Sequence, residues 1–354
     1  MAIHQLLGVE DMGKFCFLSS TREEDGNMES NVGTNQHYVP QFLLNNFTSG
    51  ESGQLYAFDK QTGKVFVTVP RNVASEKGFY DYLGENAVDS IDSHLTELDT
   101  TCAPIIEQIV TQQTLAGLSK ADRTWLSFFV VLQMVRTRYT KEILRQVSRS
   151  IEDHILRLGG NPKEADGFEP ISEDNLGQHF TQFLARSPQL VEYLIDKSWL
   201  LLSASEPSSF LTSDQPVTFS NSIHKDPNTL GLDVEGIEIY TPLSSKLTLL
   251  IACRSYEMRL RSYYKNIEWF EDITKHVQLL VKPPKLDRTY VEMMMNGYDT
   301  GDAVGCSSEN VTLVNYLQVA NSVRFVFNST DNFDLVRHLI KENSSFVSAP
   351  RFSL

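Results

Sequence analysis

The stretch HYVPQFLL (residues 37–44) places a histidine directly before an apolar run that begins with proline. Pro40 fits the first position of a helix, where its missing N–H has no helical partner in any case. His37 would then lie just outside the helix N-terminus, and Gln41 would fall on the first turn. The helix dipole favours a neutral imidazole there and offers backbone donors to an anion. The alternative is that the ring only caps the helix or packs under Tyr38.

Two polar side chains stand in the otherwise apolar segment FFVVLQMVR (128–136). Gln133 and Arg136 are three residues apart, so on a helix they point the same way. A buried guanidinium needs a partner, because an unpaired buried charge costs several kcal/mol. We therefore expect either a carboxylate of the fold beside the pair or a polar cavity lined by it. The candidate carboxylates are Asp99, Glu76 and Asp214.

The segment FLTSDQPV (210–217) places Ser213 and Asp214 at a break in a strand, because Pro216 cannot donate to a sheet ladder. Both side chains can hydrogen-bond nearby backbone in an Asx- or ST-type turn. The alternative is that the strand end presents Asp214 to a cleft, as a metal ligand or a general base. The residues alone do not decide between these two interpretations.

The composition and the absent motifs narrow the class of protein. The chain has 354 residues, of which 41% are hydrophobic, and its four cysteines are too widely spaced for a usual zinc site. No run approaches the roughly 20 apolar residues of a membrane span, and the N-terminus does not resemble a signal peptide. We therefore expect a cytoplasmic protein with no membrane partner. No GxGxxG, P-loop, HExxH or GxSxG motif points to Rossmann dinucleotide binding, a kinase or an α/β-hydrolase.

The charge of the chain is unevenly distributed. The formal net charge is −14, but residues 119–158 hold eight basic and four acidic side chains. Four of the basic residues recur at helical spacing (Arg138, Lys141, Arg145 and Arg149). An acidic protein repels nucleic acid over long distances. The basic helix face at 136–149 nevertheless makes nucleic acid or a nucleotide a candidate partner.

Hydrophobic periodicity predicts the elements that carry these residues. LYAFD and KVFVT alternate and are joined by a turn with Gly63, which indicates a hairpin. Apolar residues at helical spacing predict a helix from Val88 with a kink at Pro104. A second helix is predicted from its N-cap Ser119 to the stop at Gly159-Gly160. After Trp199 short alternating runs predict strands of an antiparallel sheet, and later a helix and a last strand are expected in VNYLQVANSVRFVFNS (314–329).

The predicted fold class is therefore α+β, with an N-terminal hairpin and long helices packed against a C-terminal, mainly antiparallel sheet. We expect the two halves to share one core, since neither sheet fragment would be stable alone. The predicted divisions are a flexible leader (1–34), a single domain (35–330) with a helical part (86–197) and a sheet part (199–330), and a C-terminal helix and tail (331–354).

Several of these segments occur together in a known family. HYVPQFLLNNF, NVASEKGFY, LQMVRT and FLTSDQPV, in this order, resemble the microbial and fungal family of unknown function noted for its HYVP motif. The matching segments cover most of residues 36–330. The family pattern usually has Glu where this chain has Asp99. The polar positions that recur in the pattern are His37, Gln41, Asn72, Glu76, Gln133, Arg136, Ser213, Asp214 and Asn315.

The resemblance implies a common fold, and it suggests one site for the recurrent polar residues. Brought together, three of them and Asp99 would make a His/carboxylate group of the kind that binds Mg²⁺ or Mn²⁺ (His37, Glu76, Asp99 and Asp214). Gln133 and Arg136 would then hold an anionic oxygen while a metal-bound water attacks. The predicted catalytic residues are His37, Gln41, Glu76, Gln133, Arg136 and Asp214.

This arrangement predicts a hydrolase of a phosphodiester or a nucleotide, such as a metal-dependent nuclease of the toxin or antiviral-defence kind. A metal-free enzyme acting on an NAD-like nucleotide, with Asp214 or Glu76 as general acid/base, is the second interpretation. A non-enzymatic binding or scaffold protein, in which the polar cluster is structural, is the third.

Overall fold

The computed structural model describes residues 32–50, 52–84, 87–223, 230–276 and 287–348, with the backbone alone at 270–276. Most of the predicted leader (1–31) and the end of the predicted tail (349–354) lie outside the described residues. Within the described residues, no helix is both long and apolar enough to cross a membrane.

The strands of the described residues form four sheets. A two-stranded sheet pairs β1 with β4, and another pairs β5 with β6. The four-stranded sheet has the order β3-β2-β13-β8, and the five-stranded sheet has the order β12-β7-β11-β10-β9. The strands are β1 (Asn35–His37), β2 (Leu55–Asp59), β3 (Lys64–Thr68), β4 (Ser75–Lys77), β5 (Asp81–Leu83), β6 (Val88–Ser90), β7 (Ser198–Ala204), β8 (Thr212–Ser213), β9 (Thr218–Asn221), β10 (Ile237–Pro242), β11 (Leu247–Ala252), β12 (Val304–Cys306) and β13 (Phe325–Asn328).

The α-helices of the described residues lie between and around these sheets. They are α1 (Gln41–Asn45), α2 (Asp92–Gln112), α3 (Lys120–Val135), α4 (Arg138–Arg157), α5 (Leu176–Arg186), α6 (Glu192–Ile195), α7 (Arg254–His276), α8 (Arg288–Thr300), α9 (Ser308–Asn321) and α10 (Asp334–Glu342). Helices and mainly antiparallel sheets occur side by side, so the α+β class is confirmed.

The four-stranded sheet joins the two ends of the chain. The predicted hairpin is confirmed as β2 and β3, and Gly63 has a φ of +69° at its turn. β13, which was also predicted, pairs with β2 on one side and with β8 on the other. The largest buried apolar cluster accordingly contains Leu55 from the hairpin and Phe327 from the last strand. The division of the chain into one domain with two parts stays a prediction.

The five-stranded sheet is antiparallel except where β12 runs parallel to β7. Its inner face, with Leu201, Leu249 and Ile251, packs into the largest core cluster. Its outer face, with Leu200 and Leu250, is covered by a second cluster that includes side chains of α7, α8 and α9. The predicted sheet part therefore also contains three helices, of which only α9 was expected.

The long helix predicted from Ser119 is two helices. Its start is confirmed, since Ser119 and Asp122 form a reciprocal capping box, and its end at Gly159, with a φ of +80°, is also confirmed. The helix is interrupted at Arg136 and Thr137, however. The Arg136 carbonyl accepts a hydrogen bond from the Tyr80 hydroxyl at 3.0 Å, and the Thr137 hydroxyl donates to the side chain of Gln215. Contacts from distant segments thus end α3 and begin α4.

The first predicted helix also begins later than expected. Residues Val88–Ser90 form β6, and α2 starts at Asp92. Pro104 lies inside α2, as expected. α3 is buried on most of its surface, which agrees with its nearly continuous apolar sequence.

Candidate functional site

His37 lies in a strand and not at the end of a helix. It pairs with Ser75 across β1 and β4, and α1 begins only at Gln41, with Pro40 as its N-cap. A five-residue helix provides little dipole, so the predicted electrostatic setting is absent. The Nε2 atom of His37 is buried and has no hydrogen-bond partner. Burial lowers the pKa of the imidazole, against the opposing effects of the Arg71 and Pro70 carbonyl groups and the Asp99 carboxylate.

The lowered pKa of His37 predicts a pH effect on stability. At a pH where the unfolded chain begins to protonate His37, the imidazole stays neutral in the folded protein. Its contribution to the free energy of unfolding is therefore fully present above about pH 6.5 and is lost as the pH falls. Between pH 7.5 and 5 the wild type should therefore lose more free energy of unfolding than His37→Gln, by about 1.4 kcal/mol for each unit by which the pKa is lowered. Urea unfolding at several pH values measures this. The exposed His154→Gln is the control and should follow the wild type; a His37→Gln profile identical to that of wild type contradicts the prediction.

Arg136 finds its partner inside the fold. Its side chain is completely buried, and it donates to both carboxylate oxygens of Asp99, at 2.8 and 3.1 Å. Its Nε donates to the Gln133 side chain at 2.7 Å, and Gln133 Nε2 donates to the Tyr38 carbonyl at 3.0 Å. Of the two alternatives that the sequence left open, a carboxylate of the fold and a polar cavity, the structure shows the carboxylate, which is Asp99. Gln133 and Arg136 hold α2, α3 and the segment after β1 together rather than an anionic oxygen of a substrate.

Asp214 is also used by the fold. It is fully buried, and its oxygens accept hydrogen bonds from the backbone amides of Val323, Arg324 and Phe325 at 2.7–2.9 Å. The buried Lys60 interacts electrostatically with Asp214, and it donates to the carbonyls of Val319 and Ser322, at the C-terminal end of α9. These bonds leave neither carboxylate oxygen directed at a substrate or a metal. The turn interpretation of this segment, with Asp214 binding backbone, is the one that the contacts support.

The predicted metal group does not form. Among the described residues, which include His37, Glu76, Asp99 and Asp214, no three His, Cys, Asp or Glu side chains are placed to hold one metal ion. The reason is that Asp99 is bound by Arg136 and Asp214 by three backbone amides. The Asp214 carboxylate is not among the groups that shift the pKa of His37, whereas the Asp99 carboxylate is. The residues therefore do not fit the expected Mg²⁺ or Mn²⁺ site.

The remaining recurrent positions separate into structural and exposed ones. The Ser213 hydroxyl lies 2.9 Å from the Gln318 side chain, and Asn315 binds the backbone of Ser209 and Leu211. Gln41 and Asn72 are exposed. Neither of these two side chains forms a hydrogen bond or an ion pair within the described part of the chain.

A different group of polar residues does come together. Glu76 forms an ion pair with Arg138 at the start of α4, and both side chains are about one-third exposed, at 37% and 30%. Arg324 forms a bidentate pair with Asp59, at 2.7 and 3.2 Å. The phenol of Tyr38 interacts electrostatically with both pairs, since the charges of Glu76, Arg138 and Arg324 affect its pKa. We call Tyr38, Glu76, Arg138, Arg324 and Asp59 the rim cluster.

The Tyr38 hydroxyl is the unsatisfied member of the rim cluster. The residue is only 1% exposed, and within the described part of the chain its hydroxyl has no hydrogen-bond partner. Burial, and the negative charges of Asp214 and Glu76, raise the pKa of the phenol. Tyr38 is therefore protonated at neutral pH and can donate a hydrogen bond or a proton.

Only Glu76 of the rim cluster was predicted as a site residue. Tyr38 was visible in HYVP and Arg138 in the basic helix face, but nothing local linked them to Arg324, which lies 186 residues beyond Arg138. Of the four basic side chains at helical spacing, Arg138 and Arg145 are paired with carboxylates. Arg145 pairs with Glu173 at 2.8 Å, and Lys141 donates to the Phe79 carbonyl at 2.6 Å. Nucleic-acid binding through this face stays a prediction.

The fold and the rim cluster define an α+β protein with a partly exposed polar site made of two guanidinium groups, a carboxylate and a phenol. The family model of DUF4238, described as a protein of unknown function, matches residues 35–332, and the chain belongs to that family. Membership of an uncharacterised family is thus confirmed. Neither the curated proteins nor the solved structures contain a match.

Proposed function

We propose that the protein is a metal-free hydrolase of a nucleotide or phosphodiester and that the rim cluster is its active site. The observation that carries the proposal is the Tyr38 hydroxyl, which forms no hydrogen bond with a described residue and interacts electrostatically with two arginine–carboxylate pairs. Guanidinium groups bind phosphate oxygens through paired N–H donors. Glu76 is the exposed carboxylate of the cluster, whereas Asp59 is 5% exposed.

The roles follow from these positions. Glu76 accepts a proton from water as the water oxygen attacks phosphorus, and Arg138 and Arg324 stabilise the negative charge of the transition state. Tyr38 donates its proton to the leaving oxygen as the bond from phosphorus to that oxygen breaks. The raised pKa of the phenol keeps Tyr38 protonated until this step. This is the metal-free alternative with Glu76, rather than Asp214, as general base.

An aromatic surface beside the cluster favours a nucleotide over inorganic phosphate. The Arg324 guanidinium lies 4.7 Å from the centre of the Phe325 ring. Phe66 meets Phe325 edge-on at 6.1 Å and is 37% exposed. Nucleobases stack on such exposed aromatic rings. A phosphate held by Arg324 would therefore leave the base of the same ligand near Phe66.

The test is hydrolysis of a set of mononucleotides, NAD, single-stranded DNA and RNA in the presence of EDTA. The wild type is expected to cleave at least one of them, Glu76→Gln to be about 100-fold slower, and Tyr38→Phe about tenfold slower, in line with the usual size of acid–base contributions. Glu173→Gln is the matched control, because it breaks the corresponding ion pair with Arg145 on the same helix. It should cleave at the wild-type rate. Equal rates in all four proteins, or no cleavage of any substrate, would contradict the proposal.

Non-enzymatic binding is the second candidate, and the network of Arg136, Asp99 and Gln133 favours it, because these side chains stabilise the fold. In that case the wild type should bind a nucleotide without converting it. Calorimetric titration of the same nucleotides distinguishes the two, with Arg138→Leu expected to weaken binding at least tenfold under either candidate. A toxin or defence role, a cytoplasmic location and the HYVP motif as the mark of the family stay predictions.

A further inference from the structure

A cavity of about 360 Å³ opens at the margin of the largest core cluster. It lies between the end of α3, the 3₁₀ turn Ser187–Val191 with the following α6, strand β9 and residues 230–236, which precede β10. None of the rim cluster side chains lines it. Its lining includes Met134, Leu190, Tyr193, Phe219, Leu232 and Asp233.

Apolar side chains form the floor of this cavity. Four of them are partly buried and pack against the largest core cluster, namely Met134, Leu190, Phe219 and Leu232. The Met134 carbonyl also accepts a hydrogen bond from Gln215 Nε2 at 3.1 Å, which holds the end of α3 in place. The floor is therefore positioned by the fold itself. A preformed, mostly apolar cavity with a few polar groups is typical of a site for a small molecule.

Two oxygen-bearing side chains stand beside this apolar floor. Tyr193 is 41% exposed, and Asp233 is also exposed. Neither side chain forms a hydrogen bond or an ion pair with another residue in the described part of the chain. The Lys197 ammonium interacts with Asp233 electrostatically, but it does not line the cavity. The charge and the acceptor oxygens of Asp233 are therefore open to a ligand in the cavity.

We propose that this cavity binds an aromatic amine, with its rings against the apolar floor and its positively charged amino group beside Asp233. Rings are favoured over an alkyl chain because Phe219 and Tyr193 pack well against other rings, and the Met134 sulfur also contacts rings favourably. A cation is favoured because the single charge among the described lining residues is that of Asp233. An apolar cavity of about 150 Å³ holds benzene, so this larger cavity accommodates two fused rings with a short side chain.

The probe is 2-(1-naphthyl)ethylammonium chloride, and calorimetric titration measures its binding. The matched neutral probe is 2-(1-naphthyl)ethanol, which has the same rings and the same chain length. The wild type should bind the amine saturably and the alcohol about fivefold more weakly, which is the upper range for one exposed ion pair.

Asp233→Asn keeps the shape of the side chain and removes its charge. It should weaken binding of the amine about fivefold and leave the affinity for the alcohol unchanged, a difference that a general loss of structure would not produce. Tyr193→Ala removes a ring from the lining and should weaken both probes about fivefold. Glu192→Gln is the control, because Glu192 is an exposed carboxylate next to Tyr193 that does not line the cavity. It should bind both probes like the wild type.

Four results would overturn the proposal. The first is the absence of saturable amine binding by the wild type. The second is equal affinity for the amine and the alcohol, and the third is an unchanged affinity for the amine in Asp233→Asn. The fourth is a dimer in light scattering that Tyr193→Ala dissociates, which would show that a second copy of the chain covers the cavity. None of these results depends on the rim cluster or on hydrolysis.

Discussion

Asp99→Leu is expected to lower the free energy of unfolding by about 3–5 kcal/mol, because it leaves the guanidinium of Arg136 buried without its counter-ion. The wild-type pair has two hydrogen bonds, at 2.8 and 3.1 Å, and Arg136 has no exposure to solvent through which water could replace them. The Gln133 side chain remains as one neutral partner, which does not compensate a full charge. Urea unfolding monitored by circular dichroism measures the loss.

A double variant separates the charge from the packing. Asp99→Leu combined with Arg136→Met removes both charges and should recover most of the lost stability, since replacing a buried ion pair by apolar side chains is often neutral. Glu107→Leu is the matched control, because it removes an exposed carboxylate from the same helix and should change stability by no more than about 0.5 kcal/mol. A double variant as unstable as Asp99→Leu would show that the pair is not the reason for the loss.

Asp214→Ala is expected to destabilise the protein by about 3–6 kcal/mol, because three buried backbone amides lose their acceptor at about 1–2 kcal/mol each. Asp214→Asn should lose about half as much, since the amide side chain keeps one acceptor oxygen and turns its –NH₂ group towards one of the donors. The amides belong to residues 323–325, so the effect is local to the start of β13. Urea unfolding of both variants gives the comparison.

The same variants test whether Asp214 stabilises the fold or takes part in catalysis. At a temperature where Asp214→Asn is folded, its rate of nucleotide hydrolysis should equal that of the wild type, in contrast to Glu76→Gln. A full loss of activity in a folded Asp214→Asn protein, with little change in stability, would restore Asp214 as a catalytic residue.

Local patterns predicted the elements correctly where the cause was local. Ser119 and Asp122 are three residues apart and make the capping box by themselves. Alternation and Gly63 specify the hairpin, and the spacing of Gln133 and Arg136 places both on one side of α3, where their side chains meet at 2.7 Å. In each case the interacting groups are separated by a few residues, so the chain geometry alone brings them together.

The errors occurred where a distant segment decided the outcome. The helix that was expected to continue from Ser119 ends at Arg136. There the Tyr80 hydroxyl donates to the Arg136 carbonyl, and the Gln215 side chain accepts from the Thr137 hydroxyl. Three recurrent polar residues and Asp99 were expected to share a metal. In the structure Asp99 instead pairs with Arg136, and Asp214 accepts from three amides more than 100 residues away. Recurrence indicated that these residues matter, but it could not distinguish binding to a ligand from binding to the fold.

The sequence by itself determined the α+β class, the family, the start of α3 and the presence of polar residues that need partners, because these depend on composition and on spacings of a few residues. Only the tertiary structure decided which partner each polar residue has. In the tertiary structure Gln133, Arg136 and Asp214 are fully buried. Tyr38 interacts electrostatically with Glu76, Arg138 and Arg324. The physical reason is that a buried charge or amide forms its ion pair or hydrogen bond with the group that lies beside it in the packed core. In this protein the packing brings together segments from both ends of the chain, so local sequence does not identify that group.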